Sequence, residues 1–137
     1  MKVQYMLLTR ASEYALLSLD SIRKSDIPIG AEQLANELSI PKSFLAKILQ
    51  SLAKEGILES RKGAHGGFLL AQDVNKIPVS NIILAAEGKV PSVFDCSSYA
   101  SSCPGGTIGT CAISPFLMKF QVRIDEFLKD LMLGDIL

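Results

Sequence analysis

Ala31-Glu32-Gln33-Leu34-Ala35-Asn36-Glu37-Leu38-Ser39-Ile40-Pro41-Lys42-Ser43-Phe44-Leu45-Ala46-Lys47-Ile48-Leu49-Gln50-Ser51-Leu52-Ala53-Lys54-Glu55-Gly56 is the stretch that decides how this chain is read. Gly30 opens a short helix over Ala31 to Leu38, with Leu34, Ala35 and Leu38 on one face. Only Ser39 and Ile40 separate it from Pro41, a residue favoured in a first helical turn because its missing N–H would have no partner there. A second helix, Pro41 to Glu55, carries Leu45, Ile48, Leu49 and Leu52 at helical spacing, and Gly56 suits the position just past its end. Two helices joined by so short a turn read as a helix-turn-helix.

Upstream, Thr9 is a plausible N-cap for a helix in which Ala11, Tyr14, Ala15, Leu17 and Ile22 recur at helical spacing, ending before Asp26-Ile27-Pro28. Downstream, Ile57-Leu58-Glu59-Ser60 and Phe68-Leu69-Leu70-Ala71 read as two short strands. The loop between them, Arg61-Lys62-Gly63-Ala64-His65-Gly66-Gly67, has a basic start and three glycines. A hairpin directly after a helix-turn-helix makes a winged helix. Pro78 then starts a fourth helix, Val79 to Glu87, stopped by Gly88.

From Lys89 to Ile113 no periodicity survives; this stretch holds Pro91, Pro104, Gly105, Gly106, Gly109 and Cys96, Cys103 and Cys111. Loops of this length in a compact chain are usually functional or disordered. Ser114-Pro115 begins the last helix, with Ser114 as N-cap, and Leu117, Phe120, Ile124, Phe127 and Leu131 follow at intervals of three and four. That spacing is a coiled-coil seam suited to pairing two subunits. Burying five such side chains offers on the order of 10 kcal/mol of gross transfer energy before ordering costs. The expected fold is therefore mainly α with a small β-hairpin: a winged helix-turn-helix over residues 1–88, a cysteine-containing sensor loop over 89–113, and a long C-terminal dimerisation helix over 114–137.

The 137 residues balance 14 Lys+Arg against 14 Asp+Glu, so no overall cationic bias points to nucleic acid. Charge is uneven where it matters: Lys42, Lys47, Lys54, Arg61 and Lys62 stand against Glu55 and Glu59 within residues 42–62. Lys42, Ser43, Lys47, Gln50 and Lys54 lie largely off the apolar stripe. A helix that starts with Lys42, Ser43 and Phe44 can enter a major groove, where Ser and Gln bond base edges and Lys neutralises phosphates. The wing would bring Arg61, Lys62 and His65 to the flanking backbone. Two neutral subunits bind double-stranded DNA only with these patches side by side, which predicts a homodimer on a pseudo-palindromic operator. The ordinary alternative for the lysines is a solvated helix face, and a protein-interaction module of the same fold is a further one.

Hydrophobic residues at 48% and charged residues at 20% exclude a disordered chain. No apolar run approaches the ~18–20 residues needed to span a bilayer, and Met1 to Leu8 lacks the features of a signal peptide, so a cytoplasmic protein with no membrane role is expected. One histidine, no phosphate loop and no carboxylate pair in an apolar setting argue against an enzyme.

Thr9-Arg10-Ala11-Ser12-Glu13-Tyr14-Ala15-Leu16, the stretch from Leu58 to Leu70 with Arg61, Gly63 and Gly66-Gly67-Phe68-Leu69-Leu70, and three cysteines before a terminal helix resemble the Rrf-type winged-helix regulators, among them IscR-like and NsrR-like proteins. The resemblance runs from Met6 to Leu137 and implies a homodimeric bacterial transcription factor, often a repressor. It also implies that Cys96, Cys103 and Cys111 hold an iron–sulfur cluster, 2Fe–2S or 4Fe–4S, sensing nitric oxide, redox state or cluster supply. Their spacing alone, six and seven residues, is not that of a structural zinc site and supports only a weak expectation of metal.

A cluster takes four protein ligands and the cysteines supply three. Where the IscR-like subset has a histidine three residues after the last cysteine, this chain has Ser114. The family's other solution is an acidic residue from the partner's first helix, a position that Glu13 matches. The alternative function is a cluster-free regulator of the same fold, responding to thiol oxidation, a metabolite or a partner protein.

Overall fold

A computed structural model describes residues 8–92 and 112–137. Five helices of eight residues or more are found among them: α1 (Arg10–Arg23), α2 (Ala31–Leu38), α3 (Lys42–Lys54), α4 (Val79–Glu87) and α5 (Ser114–Asp130). Strands β1 (Leu58–Arg61) and β2 (Gly67–Leu70) follow α3, a 3-10 turn covers Val74–Lys76, and a short terminal helix, α6, covers Leu133–Ile136. The hairpin, the helix-turn-helix before it and the largely helical remainder make a winged helix, as the sequence predicts.

The helix limits follow from local chemistry. Thr9 caps α1, its hydroxyl accepting from the Ala11 N–H at 3.2 Å. Gly88 closes α4 in the left-handed conformation, its N–H donating to Leu84 O at 2.9 Å. The turn between α2 and α3 is made without glycine: Ser39 takes φ 56°, the one non-glycine residue with positive φ among those described. Two details depart from the sequence reading. Pro41 stands just before the first turn of α3 rather than within it, and Ile113, not Ser114, occupies the cap position of α5, with no side-chain cap bond.

One core joins α1, α2, α3 and the wing. Ala15, Leu19 and Ile22 of α1 meet Leu34 of α2, Leu45, Leu49 and Leu52 of α3, and Ile57 before β1. All are buried, and together they fix α3 against the domain by its apolar stripe alone. The hairpin pairs Leu58 with Leu70 through Arg61 with Gly67, each strand displaced one residue from the sequence-read limits. β2 is flanked on its other side by Ile29, whose N–H donates to Phe68 O at 3.1 Å while Phe68 N–H donates to Ile29 O at 2.8 Å. The wing is therefore held between α3 and the segment that leads into α2.

The C-terminal end of α5 is fixed to the same domain. Val79 N–H donates to Leu131 O and Leu133 N–H donates to Ile77 O, both at 2.8 Å, so Pro78 and Met132 face each other across a short antiparallel bridge. Leu133 lies in the main core and is fully buried. Neither the bridge nor α6 was legible from periodicity, being too short to repeat. No helix among the described residues is long and apolar enough to cross a membrane.

Ser18 is fully buried in α1 and its hydroxyl has no hydrogen-bond partner among the described residues. An unsatisfied buried hydroxyl costs about 1–3 kcal/mol, and alanine is the better helix former. Ser18→Ala is expected to stabilise the protein by about 1 kcal/mol, read from the urea midpoint at unchanged slope.

Candidate nucleic-acid interface

The apolar stripe of α3 faces the core, so its opposite face is presented to solvent. Ser43, Lys47, Gln50 and Lys54 are exposed at spacings of four, three and four, one line along the helix. Two residues of the predicted set are placed differently. Lys42 sits at the side of α3, 3.6 Å from the Glu32 carboxylate of α2. Phe44 is 43% exposed, and its ring meets Tyr14 of α1 edge-on, the centroids 5.6 Å apart. Such a pair adds about 0.5–1.5 kcal/mol beyond area burial. Phe44 thus ties the start of α3 to α1.

In the wing, Arg61, Lys62 and His65 are all exposed. Arg61 Nε lies 3.6 Å from Glu59 on the same strand, an exposed pair of little energetic weight. Gly66 N–H donates to Gly63 O at 3.0 Å, turning the tip so that His65 projects from it. β1 packs directly against α3, so the wing cations and the outward line of α3 belong to one rigid unit. Lysine and arginine side chains can neutralise phosphates, and serine and glutamine side chains carry donors and acceptors able to bond base edges.

If Lys47 meets a phosphate, Lys47→Ala weakens duplex binding uniformly across sequences. The slope of log affinity against log salt should become shallower by about 1. An unchanged slope would leave Lys47 as a solvated side chain.

The residues predicted for the dimer seam are divided by the fold. Leu117 is buried, and Ile124 and Leu131 pack on Val79 and Ile83 of α4 with Leu128. Phe120 and Phe127 face outward, 38% and 62% exposed, with Phe116 beside them at 59%. The Phe116 and Phe120 rings meet at 5.8 Å.

Cys96, Cys103 and Cys111 lie outside the described residues, and no group of three His, Cys, Asp or Glu side chains that could hold a metal converges among those described. Glu13 is exposed on α1 and engaged by Arg10 at 2.7 Å. Among the described residues its carboxylate is held by Arg10 alone and otherwise faces solvent, and a carboxylate is chemically able to ligate iron.

Sequence reasoning missed Glu87, the last residue of α4. Its carboxylate accepts from Thr9 N–H at 3.0 Å, from the Thr9 hydroxyl at 2.7 Å and from the Ser12 hydroxyl at 2.6 Å. Burial pushes the Glu87 carboxyl up, but the bonds from Ser12 and Thr9 outweigh it and hold the group below the usual glutamate range. No local signal could have found a contact spanning more than seventy residues.

With an exposed polar line on the second helix of a helix-turn-helix and a basic wing packed against it, the comparison with known proteins is direct. The Rrf2 family of iron-dependent transcriptional regulators matches residues 8–137. The chain belongs to the Rrf2 family. Among its Rrf2 relatives, protein Rrf2 of Nitratidesulfovibrio vulgaris is 32% identical over 101 residues, covering 72% of this chain and 67% of the relative. The transcriptional regulator IscR of Vibrio atlanticus is 28% identical over 136 residues, covering 96% of this chain and 75% of the relative. The solved structure of CymR of B. subtilis superposes with a TM-score of 0.69 at 19% identity, covering 99% of this chain and 95% of CymR. This Rrf2-family chain is thus a DNA-binding transcriptional regulator rather than an enzyme.

Proposed function

We propose that two copies of the chain pair through α5 and bind a pseudo-palindromic operator as a homodimer, most often as a repressor, with an iron–sulfur cluster on Cys96, Cys103 and Cys111 modulating that binding. The observation that carries the pairing is the exposure of Phe116 and Phe127, at 59% and 62%, on one face of a helix whose other apolar row packs on α4. Aromatic side chains in a row on one helix face leave water when the same face of a second copy covers them. The dimer places two α3 helices about one DNA turn apart, each with Ser43, Lys47 and Gln50 toward the groove and Arg61, Lys62 and His65 toward the backbone.

The cluster reading draws on the three cysteines, on the iron-dependent description of the family and on the likeness to IscR. Glu13 of the partner is the candidate fourth ligand, and its release from Arg10 is the rearrangement required. A cluster supplies a tie that redox change or nitric oxide breaks. In functional terms, residues 1–88 bind DNA, residues 89–113 with the three cysteines sense, and residues 114–137 dimerise; the cytoplasm is the compartment this implies.

Anaerobic purification with iron and acid-labile sulfide analysis, followed by duplex-binding assays before and after cluster loss, tests the switch. Iron and sulfide with a change in operator affinity on cluster loss is the expected result. Equal affinity with and without the cluster overturns the switch. Colourless protein free of iron and sulfide favours the cluster-free reading, towards which the likeness to CymR, described as a global cysteine regulator, also points.

A further inference from the structure

α1 is anchored at its first turn by a group that belongs to neither its own helix nor the DNA-facing surface. Glu87 Oε2 lies 3.0 Å from Thr9 N, 2.7 Å from Thr9 Oγ1 and 2.6 Å from Ser12 Oγ, and Oε1 lies 2.9 Å from Thr9 Oγ1. The Thr9 hydroxyl that donates to Glu87 also accepts from Ala11 N–H as the helix cap. One carboxylate therefore settles where α1 begins and how it is rotated about its axis. An aliphatic side chain could fill the same space between two helices, but it would fix neither, because packing is not directional in the way hydrogen bonds are.

Rotation of α1 matters two residues beyond Ser12. Tyr14 is the side chain on which the Phe44 ring rests, and Phe44 is in the first turn of α3. On the other side, the segment after Glu87 is held to α5, where Gln121 Nε2 donates to Pro91 O at 2.9 Å. Residues 87–91 thus touch α1 at one end and α5 at the other.

We infer that Glu87 is a positioning residue for DNA binding, fixing the first turn of α1 and, through the Tyr14–Phe44 contact, the start of the recognition helix. The inference rests on the winged-helix reading of α3. It assigns residues 87–91 as the structural link between α5 and the DNA-facing surface.

The test uses the full chain with ring-labelled tyrosine and phenylalanine. Glu87→Ala removes every bond to α1, whereas Glu87→Gln keeps one acceptor oxygen and should restore part of the effect. The alanine variant should bind duplex about tenfold more weakly, ~1.4 kcal/mol, under conditions where circular dichroism shows it folded. The Tyr14 and Phe44 ring resonances should shift together, less in the glutamine variant. If Glu87→Ala does not fold, Ser12→Ala removes one bond and should move the same resonances in the same direction. Unchanged ring resonances and duplex affinity, with only a lowered denaturation midpoint, would reduce Glu87 to ordinary packing and overturn the inference. Wild-type protein that binds no duplex would instead sink the DNA-binding reading, and the ring resonances would then decide whether Glu87 holds the α1–α3 contact.

Discussion

Replacing both Phe120 and Phe127 by aspartate is expected to convert the protein to a monomer at micromolar concentration and to abolish operator binding at physiological salt. Phe127 is 62% exposed, so its replacement removes little of its own subunit's packing, whereas Phe120, 38% exposed and against Phe116, is partly engaged within its own chain. Full burial of a phenylalanine is worth about 1.5–3 kcal/mol, and a two-fold interface loses two pairs of them. It also acquires four carboxylates close to one another in a desolvated seam. A loss of at least a thousandfold in dimerisation, about 4 kcal/mol, is a conservative expectation. Sedimentation reads the oligomeric state, and thermal melting of the dilute variant separates dissociation from unfolding. The matched control is Leu128→Ala: Leu128 is buried against α4, so it should cost intrachain stability, about 2–5 kcal/mol, before it costs pairing. A double aspartate variant that remains dimeric would show that α5 does not pair the subunits by this face.

That contrast also shows where the sequence was readable and where it was not. The limits of α2 and α4 were legible because Gly30 and Gly88 mark them and the apolar residues between repeat at one period. The outward line of α3 followed once Leu45, Ile48, Leu49 and Leu52 were assigned inward. In α5 the same method meets two overlapping stripes. Spacing by threes and fours runs equally through Leu117, Phe120, Ile124, Phe127 and Leu131 or through Leu117, Gln121, Ile124, Leu128 and Leu131. Hydrophobicity selects the first set. The fold buries the second, because the Gln121 amide has Pro91 O and the Asp125 carboxylate to bond, at 2.9 and 2.7 Å. A polar side chain whose partners are supplied from a distant segment can enter a core, and no local pattern reveals it.

The distant bonds of Glu87 escaped for the same reason. Its acceptors are spent on Thr9 and Ser12 at the other end of the domain, and a terminal helix glutamate beside a glycine reads locally as a solvated residue. The wing, by contrast, announced itself by composition, though its glycines did not disclose which were obligatory.

Gly67 combines a left-handed φ with a backbone approach, so its replacement should be costly. It adopts φ +145°, and a Cβ there would lie 2.5 Å from the Ile29 carbonyl carbon, 2.6 Å from its oxygen and 2.7 Å from Gly30 N. Those are backbone atoms of the segment that pairs with Phe68, so the clash cannot be relieved by moving a side chain. Relief requires breaking the Ile29–Phe68 pair, which forfeits two backbone hydrogen bonds of about 1 kcal/mol each. Strain at a backbone conformation reserved for glycine adds about 1–3 kcal/mol. Gly67→Ala should therefore lower stability by about 3 kcal/mol or more and swing the hairpin away from α2. Since Arg61 pairs with Gly67 across the ladder and Lys62 and His65 lie in the tip between the strands, duplex affinity should fall at least tenfold even in the folded fraction. Gly63→Ala is the comparison: that glycine also has positive φ, at +107°, but nothing lies within 4 Å of the added carbon. It should show the strain cost alone, about 1 kcal/mol, with the hairpin still paired. Denaturation of the two variants side by side, with amide exchange of Phe68 as the reporter of the Ile29 pair, distinguishes them. Equal stability losses, with Phe68 protected in both, would mean that the added carbon at Gly67 is accommodated with the Ile29 pair intact, and would overturn this account of Gly67.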